Sequence, residues 1–461
     1  MGLILAVNPT EKTLSVAFGA HVARYENGDL EDLTHAYAVT VHKSQGSEFP
    51  LVVMPLLTSH YMMLQRSLPY RKPVRFLAGG CHSGKLLRSQ TKIQERTMSD
   101  NLKRYTAIKR ALVQLYPQAP PGHLLQSLNV LAMFINGIVA SKSTHTREVA
   151  KKTPTDAKVT SREKQCSRWY QNAHVTYELH MLPFGKPLLL GLAQQTLVLA
   201  IAGSEVGRNC LALMVSVIYH KRAIPLLWVV VQGRKGHFPA QLHVDLLTQL
   251  QDLLPPAASI VLLGDGEFDS VELQTFLAAA HWDYVCRTAK NTQVFCDGAW
   301  QALDEIPVWP GSRLPLYDVL FTRQAYGPVL AIIWWDKQHA APIYLVTNLA
   351  VVEEACHWYR RRMRIETFFS DQKSRGFQLH KSHISQPQRL ARLLIAACLA
   401  YIWMIHLGAL CQLEGWKNVI HRTDRCDLSL FQLGLDLLEY FLNEDMPIPV
   451  DFRLYQAPLS G

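Results

Sequence analysis

Residues Tyr359 to Lys373 read YRRRMRIETFFSDQK. No Gly or Pro interrupts the run, which predicts a continuous helix. At about 100° per residue, Tyr359, Arg362, Glu366 and Lys373 fall within an arc of roughly 60°. One face then presents a phenol, a guanidinium, a carboxylate and an ammonium in a line. Ile365 and Phe369 lie beside that stripe and can pin the helix to a core. An exposed helix with ordinary i,i+4 charge pairs would carry similar residues, so the strands upstream decide the reading.

From Thr196 the pattern changes to strands. TLVLAIAGS, NCLALMVSVIYH and RAIPLLWVVVQ are three apolar runs of strand length. HVDLLTQLQDLL then reads as a helix, and SIVLLGDGEFDS as a buried strand ending in Gly264-Asp265-Gly266. VELQTFLAAA is a second helix and DYVCRT a fifth strand. Three strands, a helix, a strand, a helix and a strand is the order of an RNase H-like fold, in which carboxylates far apart in sequence converge. An Asp in an Asp-Gly pair also suits a plain turn, but Asp265 ends a buried strand.

The Tyr-(2)-Arg-(3)-Glu-(6)-Lys spacing, with Asp265, resembles the YREK signature of bacterial insertion-sequence transposases of the DDE class. The resemblance covers residues 98–461. It implies Asp265 and Glu366 as catalytic, metal-ligating carboxylates. It also implies Mg²⁺ or Mn²⁺ as cofactor, because phosphodiester cleavage and strand transfer use two divalent ions about 4 Å apart and hard cations demand oxygen ligands. Arg362 and Lys373 match the family's phosphate-gripping residues and Tyr359 the one that positions them. Arg360, Arg361 and Arg364 add cations beside them. The family's first carboxylate belongs just before GSEVG, where this chain has Ala202. A methyl cannot ligate a metal, so activity is expected to be impaired. Glu205 lies three residues on and would have to bend back to substitute. Glu267 and Asp269 belong to the second motif and do not fill the gap. The implied partner is double-stranded DNA at transposon ends, bound by a homodimer in a synaptic complex.

Between Arg287 and Val352, LYDVLFTRQ, GPVLAIIWWDKQ and APIYLVTN are β-type runs that resemble the family's β-rich insertion. Core packing is the expected use of Trp334 and Trp335. Upstream, YTAIKRALVQLY and LLQSLNVLAMFING predict helices, the second ended by Gly137. Lys151, Lys152, Lys158, Arg162, Lys164 and Arg168 follow in a locally basic stretch suited to DNA phosphates. Thr160 or Ser161 is placed to cap its helix.

The first 34 or so residues alternate LILAV, TLSVAF and HVARY and predict a few strands. HAYAVTVHKSQGSEFPLVVMPLL, with a polar His42–Gly46 loop before an apolar run, resembles the C-terminal nucleotide- and DNA-contacting loop of RecD-like superfamily 1 helicases. The match stops near Tyr70, without Walker motifs or the family's phosphate-sensing arginine. Gly79, Gly84 and Lys85 fit a P-loop, but Leu86 stands where Ser or Thr should hold Mg²⁺. An ATP-driven helicase is therefore the weakest functional reading. Met98 offers a transposase its own start.

The formal net charge of +10 suits a polyanionic partner. Nine scattered Cys, with no zinc spacing, suit a reducing cytoplasm. Leu393 to Ile405 is apolar but shorter than the roughly 20 residues a bilayer needs, so a core helix and no membrane are expected. The expected fold class is α/β: an RNase H-like transposase core with a β-rich insertion, an N-terminal helical DNA-binding region and a small β/α helicase-derived fragment. The expected divisions are a helicase-like fragment at 1–70, a linker at 71–97 and a helical DNA-binding region at 98–190. The core follows at 191–290, the insertion at 291–355, the core's second part with the YREK helix at 356–412 and a helical tail at 413–461. The competing functions are a transposase, a catalytically dead DNA-binding relic or repressor of transposition, and a helicase.

Overall fold

The computed structural model describes residues 3–8, 13–18, 21–25, 85–193, 196–233, 238–421 and 427–454. The chain divides into two compact units, Met1–Glu95 and Arg96–Gly461. In the first, β1 (Leu3–Asn8), β2 (Thr13–Phe18) and β3 (His21–Tyr25) form an antiparallel sheet in that order. These are the strands expected from the alternating runs. The helicase-like segment 35–70 and the P-loop decoy's glycines lie outside the described residues.

The helix α1 spans Lys85–Gln114, so residues 85–97 of the expected linker are helical. KLLRSQTKIQERT contains no Gly or Pro and is rich in good helix formers, and that outweighs its weak periodicity. α2 (Gly122–Ser141) follows the QAPPGH break. It does not stop at Gly137. A Cβ there would meet Val149 Cγ1 at 2.5 Å, so this glycine permits close packing on α3 (Thr146–Lys151). α4 (Val159–Gln171) starts before Thr160 and Ser161, with Lys158 at its N-cap and no side-chain cap bond. α5 (Tyr177–His180) and α6 (Leu182–Leu192) lead into the sheet.

β4 (Leu197–Gly207), β5 (Cys210–Tyr219) and β6 (Arg222–Gln232) are antiparallel neighbours. After α7 (Ala240–Gln251), β7 (Ile260–Gly264) pairs parallel to β4. After α8 (Val271–Ala279), β8 (Asp283–Thr288) pairs parallel to β7. The spatial order β6-β5-β4-β7-β8 is the RNase H-like arrangement the run of elements implied. Leu197 to Ala202 and all of β7 are buried. Strands covered on both faces read as continuous apolar runs, which is why they are conspicuous in the sequence.

β9 (Gln293–Cys296), β10 (Ala299–Ala302), β11 (Arg313–Phe321), β12 (Tyr326–Trp334) and β13 (Ile343–Thr347) fill the insertion. They extend the core sheet instead of folding apart from it. β13 pairs antiparallel with β8, Val346 opposite Cys286, to give a 10-stranded sheet. α9 (Val352–Tyr359) packs Val352, Ala355 and Cys356 on the sheet face carrying Val261, Leu263 and Val285. Tyr284 points the other way and its hydroxyl donates to Gln274 of α8, 2.7 Å away.

α10 (Arg364–Gln372) is separated from α9 by a turn over Arg360–Met363. The predicted continuous helix over Tyr359–Lys373 is therefore two helices. Through the turn the backbone tightens to i→i−3 bonds: Arg361 to Trp358 (2.9 Å), Arg362 to Tyr359 (2.9 Å) and Arg364 to Arg361 (3.1 Å). Four closely spaced guanidinium groups repel one another along a regular helix, and two find aromatic faces instead. Arg360 lies 4.9 Å over Trp334 and Arg361 4.6 Å over Trp358. Trp334 is 6% exposed, in keeping with core packing.

α11 (Pro387–Leu413) closes the core, and α12 (Lys417–Ile420) and α13 (Leu430–Asn443) complete the tail. Among the described residues, α2 and α11 are long and apolar enough to cross a membrane by length and composition, but 94% of the apolar window of α11 is buried inside the protein. It is a core helix, packed against α2, α4, β6 and α13.

Candidate functional site

The parallel register places the site. Val198 pairs with Val261 and Ala200 with Leu263. Counted two residues beyond the last pair, Ala202 is level with Asp265, which stands in the turn just past the end of β7. α9 packs against β7 and β8, and α10 against β4, β5 and β6. Ser204, two residues after Ala202, accepts a 2.7 Å hydrogen bond from Lys373 Nζ at the end of α10. Ala202 is 1% exposed, so its methyl is buried.

Asp265 is fixed by its own turn. Its Oδ1 accepts the Glu267 N–H at 3.2 Å, and its carbonyl accepts the Phe268 N–H at 3.0 Å. Gly264 permits that turn, since a Cβ there would lie 2.6 Å from Phe268 Cβ. Asp269 turns aside to accept from the Thr288 hydroxyl at 2.6 Å.

Arg362 joins the second and third motifs. Its Nη1 lies 3.6 Å from Asp265 Oδ2 and 3.6 Å from Glu366 Oε1. The guanidinium is turned inward onto the carboxylates. Tyr359 sits beside it, and burial pushes that phenol above its ordinary pKa while Arg362 and Arg287 pull the other way. Burial likewise lowers the Lys373 ammonium, against the pull of nearby Glu205 and Glu366. Glu205 is exposed and paired with Leu211 on β5, one position out of phase with Ala202. The arrangement brings together Tyr359, Arg362, Glu366, Lys373 and Asp265. Arg360 and Arg361 point to their tryptophans. Arg364 is half-buried next to Arg361, and burial lowers its pKa.

The basic helical stretch is a separate surface. Lys151 is ion-paired with Glu148 at 2.7 Å. Lys152 lies at the C-cap of α3, half-buried. Arg162 is used internally: its guanidinium donates to the carbonyls of Ala157 (2.8 Å), Ala150 (3.0 Å) and Thr153 (2.8 Å). Lys158, Lys164 and Arg168 are exposed, the last two one helical turn apart on α4. The other face of α4 is anchored by buried Cys166, Trp169 and Tyr170.

Sequence reasoning missed His243. It is 1% exposed, neither ring nitrogen has a hydrogen-bond partner, and Nε2 lies 3.8 Å from Glu267 Oε1. A lone His in an apolar helix pattern carries no signal of its own.

Residues 198–403 match the model of the transposase DDE domain, and residues 35–70 that of the UvrD-like helicase C-terminal domain. Among solved structures, the chain is similar to a piggyBac transposase synaptic complex with hairpin DNA (12% identity, 79% of this chain and 87% of that one, TM-score 0.38). It is also similar to human ENDOV (13% identity, 45% and 84%, TM-score 0.22). The DDE family normally uses a divalent metal. The residues present do not fit a two-metal centre. Among the described residues no group of three or more His, Cys, Asp or Glu is assembled to hold an ion. The level of the first carboxylate carries a methyl, and the other two carboxylates share a guanidinium. Over residues 198–403 this chain is nonetheless a transposase DDE domain, and a UvrD-like helicase C-terminal segment precedes it at residues 35–70.

Proposed function

We propose that the chain is a transposase-type protein that binds insertion-sequence ends as double-stranded DNA and whose cleavage and strand transfer are disabled at one position, Ala202. One observation carries this reading: Ala202 lies level with Asp265, whose carboxylate shares the Arg362 guanidinium with Glu366. Asp265 and Glu366 are the remaining catalytic carboxylates of the proposal. Lys373 and the exposed Arg360 supply positive charge toward a phosphate backbone, and Tyr359 a neutral phenol beside them. Assembly as a homodimer on paired ends belongs to the same proposal. As written, the chain then acts as a DNA-binding relic or a repressor competing for the ends.

The test is nicking of an element-end duplex with Mg²⁺ or Mn²⁺. The unaltered chain is expected to give no cleavage above background. Ala202→Asp is expected to raise cleavage at least about a thousandfold, since misplacement by about 1 Å alone costs roughly a hundredfold. Ala202→Asp with Glu366→Gln is expected to lose it again. Robust cleavage by the unaltered chain would overturn the reading and point to Glu205 as the third ligand.

A further inference from the structure

Arg362 is 9% exposed, yet its Nε and Nη1 are sealed from solvent without a hydrogen-bond partner. Its Nη2 reaches the Met363 sulfur at 2.9 Å. A guanidinium is always charged and carries five donors. Apart from the Met363 sulfur and the Tyr359 hydroxyl beside it, this one is held by charge, and the carboxylates that face Nη1 are Asp265 and Glu366, each at 3.6 Å. The tightened turn brings it there: the Arg362 N–H bonds back to Tyr359, and the side chain leaves the backbone between the last turn of α9 and the first of α10.

We propose that Arg362 is the built-in counter-ion of this carboxylate pair and stands where a divalent cation would otherwise sit between them. Two carboxylates and one guanidinium leave a formal charge of −1, too little to draw in a dication beside a cation already in place. A third carboxylate at position 202 would restore the balance toward a dication. With a methyl there, the guanidinium keeps the pair together, and a cation binds only by displacing it. The inference takes from the transposase reading only the identity of the pair.

The experiment is titration of the full chain with Mn²⁺ alone, followed by the electron paramagnetic resonance signal of the free ion. Circular dichroism of every variant checks folding. Arg362→Met keeps the volume without the charge, and Arg362→Gln keeps polarity. Both are expected to bind one Mn²⁺ about tenfold tighter than the unaltered chain, on the scale by which a nearby charge shifts ion binding. That gain is expected to vanish on adding Glu366→Gln. Unchanged affinity in both variants, or a gain that survives Glu366→Gln, would overturn the proposal. Should the Arg362 variants not fold, melting decides: the unaltered chain is expected to show no rise in Tm with millimolar Mn²⁺. A rise that Glu366→Gln abolishes overturns the idea. DNA retention on a gel separates the two readings. Failure of the unaltered chain to retain duplex DNA, with the Mn²⁺ gain of the Arg362 variants intact, removes the transposase reading alone, and retention without that gain removes this one alone.

Discussion

Charge at buried residues has a sign that a pH titration can read, and Asp371 is the clearest case. Its carboxylate meets Arg222 at 2.7 Å, where the turn between β5 and β6 is tied to α10. Burial nevertheless pushes its pKa up to about 6, outweighing the downward pull of Arg222 and then Arg375. A carboxyl raised in the folded state binds its proton more tightly there than in the unfolded chain. Its contribution to stability is therefore complete below the ordinary carboxylate range and is lost as pH rises through about 6. His180 and His406 are lowered by burial and act in the opposite sense, losing stability as pH falls. The useful quantity is thus the difference between the unaltered chain and Asp371→Asn. The variant's Tm is expected to gain on the unaltered chain from pH 5 to pH 7.5 by on the order of 2–4 °C. A difference that is flat with pH, or that falls, would contradict the assignment. Neither this pairing nor that of Arg362 with Asp265 was legible in the sequence. A helical wheel fixes a side chain's direction on its own helix and shows Arg362 beside Glu366, but Arg222 lies 149 residues from Asp371 and Asp265 comes to Arg362 from the turn after β7. Ala202 was legible, because Gly-Ser-Glu-Val-Gly frames it and β4 is a continuous apolar run.

At the scale of elements, strands read more faithfully than helix ends. Burial on both faces gives β7, β13 and the Leu197–Ala202 half of β4 apolar runs that no charge interrupts. The break between α9 and α10 left no Gly or Pro in the sequence. It goes with the stacking of Arg360 on Trp334 of β12, a tertiary contact, and of Arg361 on its near neighbour Trp358. Glycine misled once, at Gly137, where small size serves packing and not termination. The same use recurs where α13 crosses α11. A Cβ on Gly434 would run into the Met404 carbonyl, and one on Gly408 into the Leu430 carbonyl. Backbone cannot yield as a side-chain tip can, so the helices must separate and Leu433, Leu437 and Phe441 lose part of their burial. Gly434→Val is expected to destabilise the chain by roughly 2–4 kcal/mol, read as a lower denaturation midpoint. Gly122→Ala is the control, because nothing lies within 4 Å of a Cβ there. It is expected to change stability by less than about 1 kcal/mol. Equal effects at the two sites would show that the crossing tolerates separation.

At the scale of the molecule, α11 connects the basic helices to the sheet. Arg392 on α11 donates to the carbonyls of Val175 and Tyr170 just beyond and within α4, and Trp228 of β6 donates to Ala391. The exposed cations of α4 are thereby carried on a rigid frame within the unit that holds Asp265 and Glu366. α1 has buried side chains at Asp100, Asn101, Arg104, Ile108 and Leu112, so a chain started at Met98 retains them. Such a chain is expected to unfold cooperatively and to bind duplex DNA with an affinity that falls steeply as salt rises, because neutralised phosphates release counterions. The frame also predicts which cations set the slope. Lys164 and Arg168 face solvent, so Lys164→Gln with Arg168→Gln is expected to reduce the slope of log affinity against log salt by about 1.8. Arg162 lies in the same helix but donates to three carbonyls inside the protein. Arg162→Gln is expected to lower Tm and leave the slope within about 0.5 of its starting value. The measurement is fluorescence anisotropy of a labelled duplex from low to moderate salt, with melting curves of the same samples. A slope that Arg162→Gln lowers as much as the double variant does would mean that its guanidinium leaves those carbonyls for the DNA.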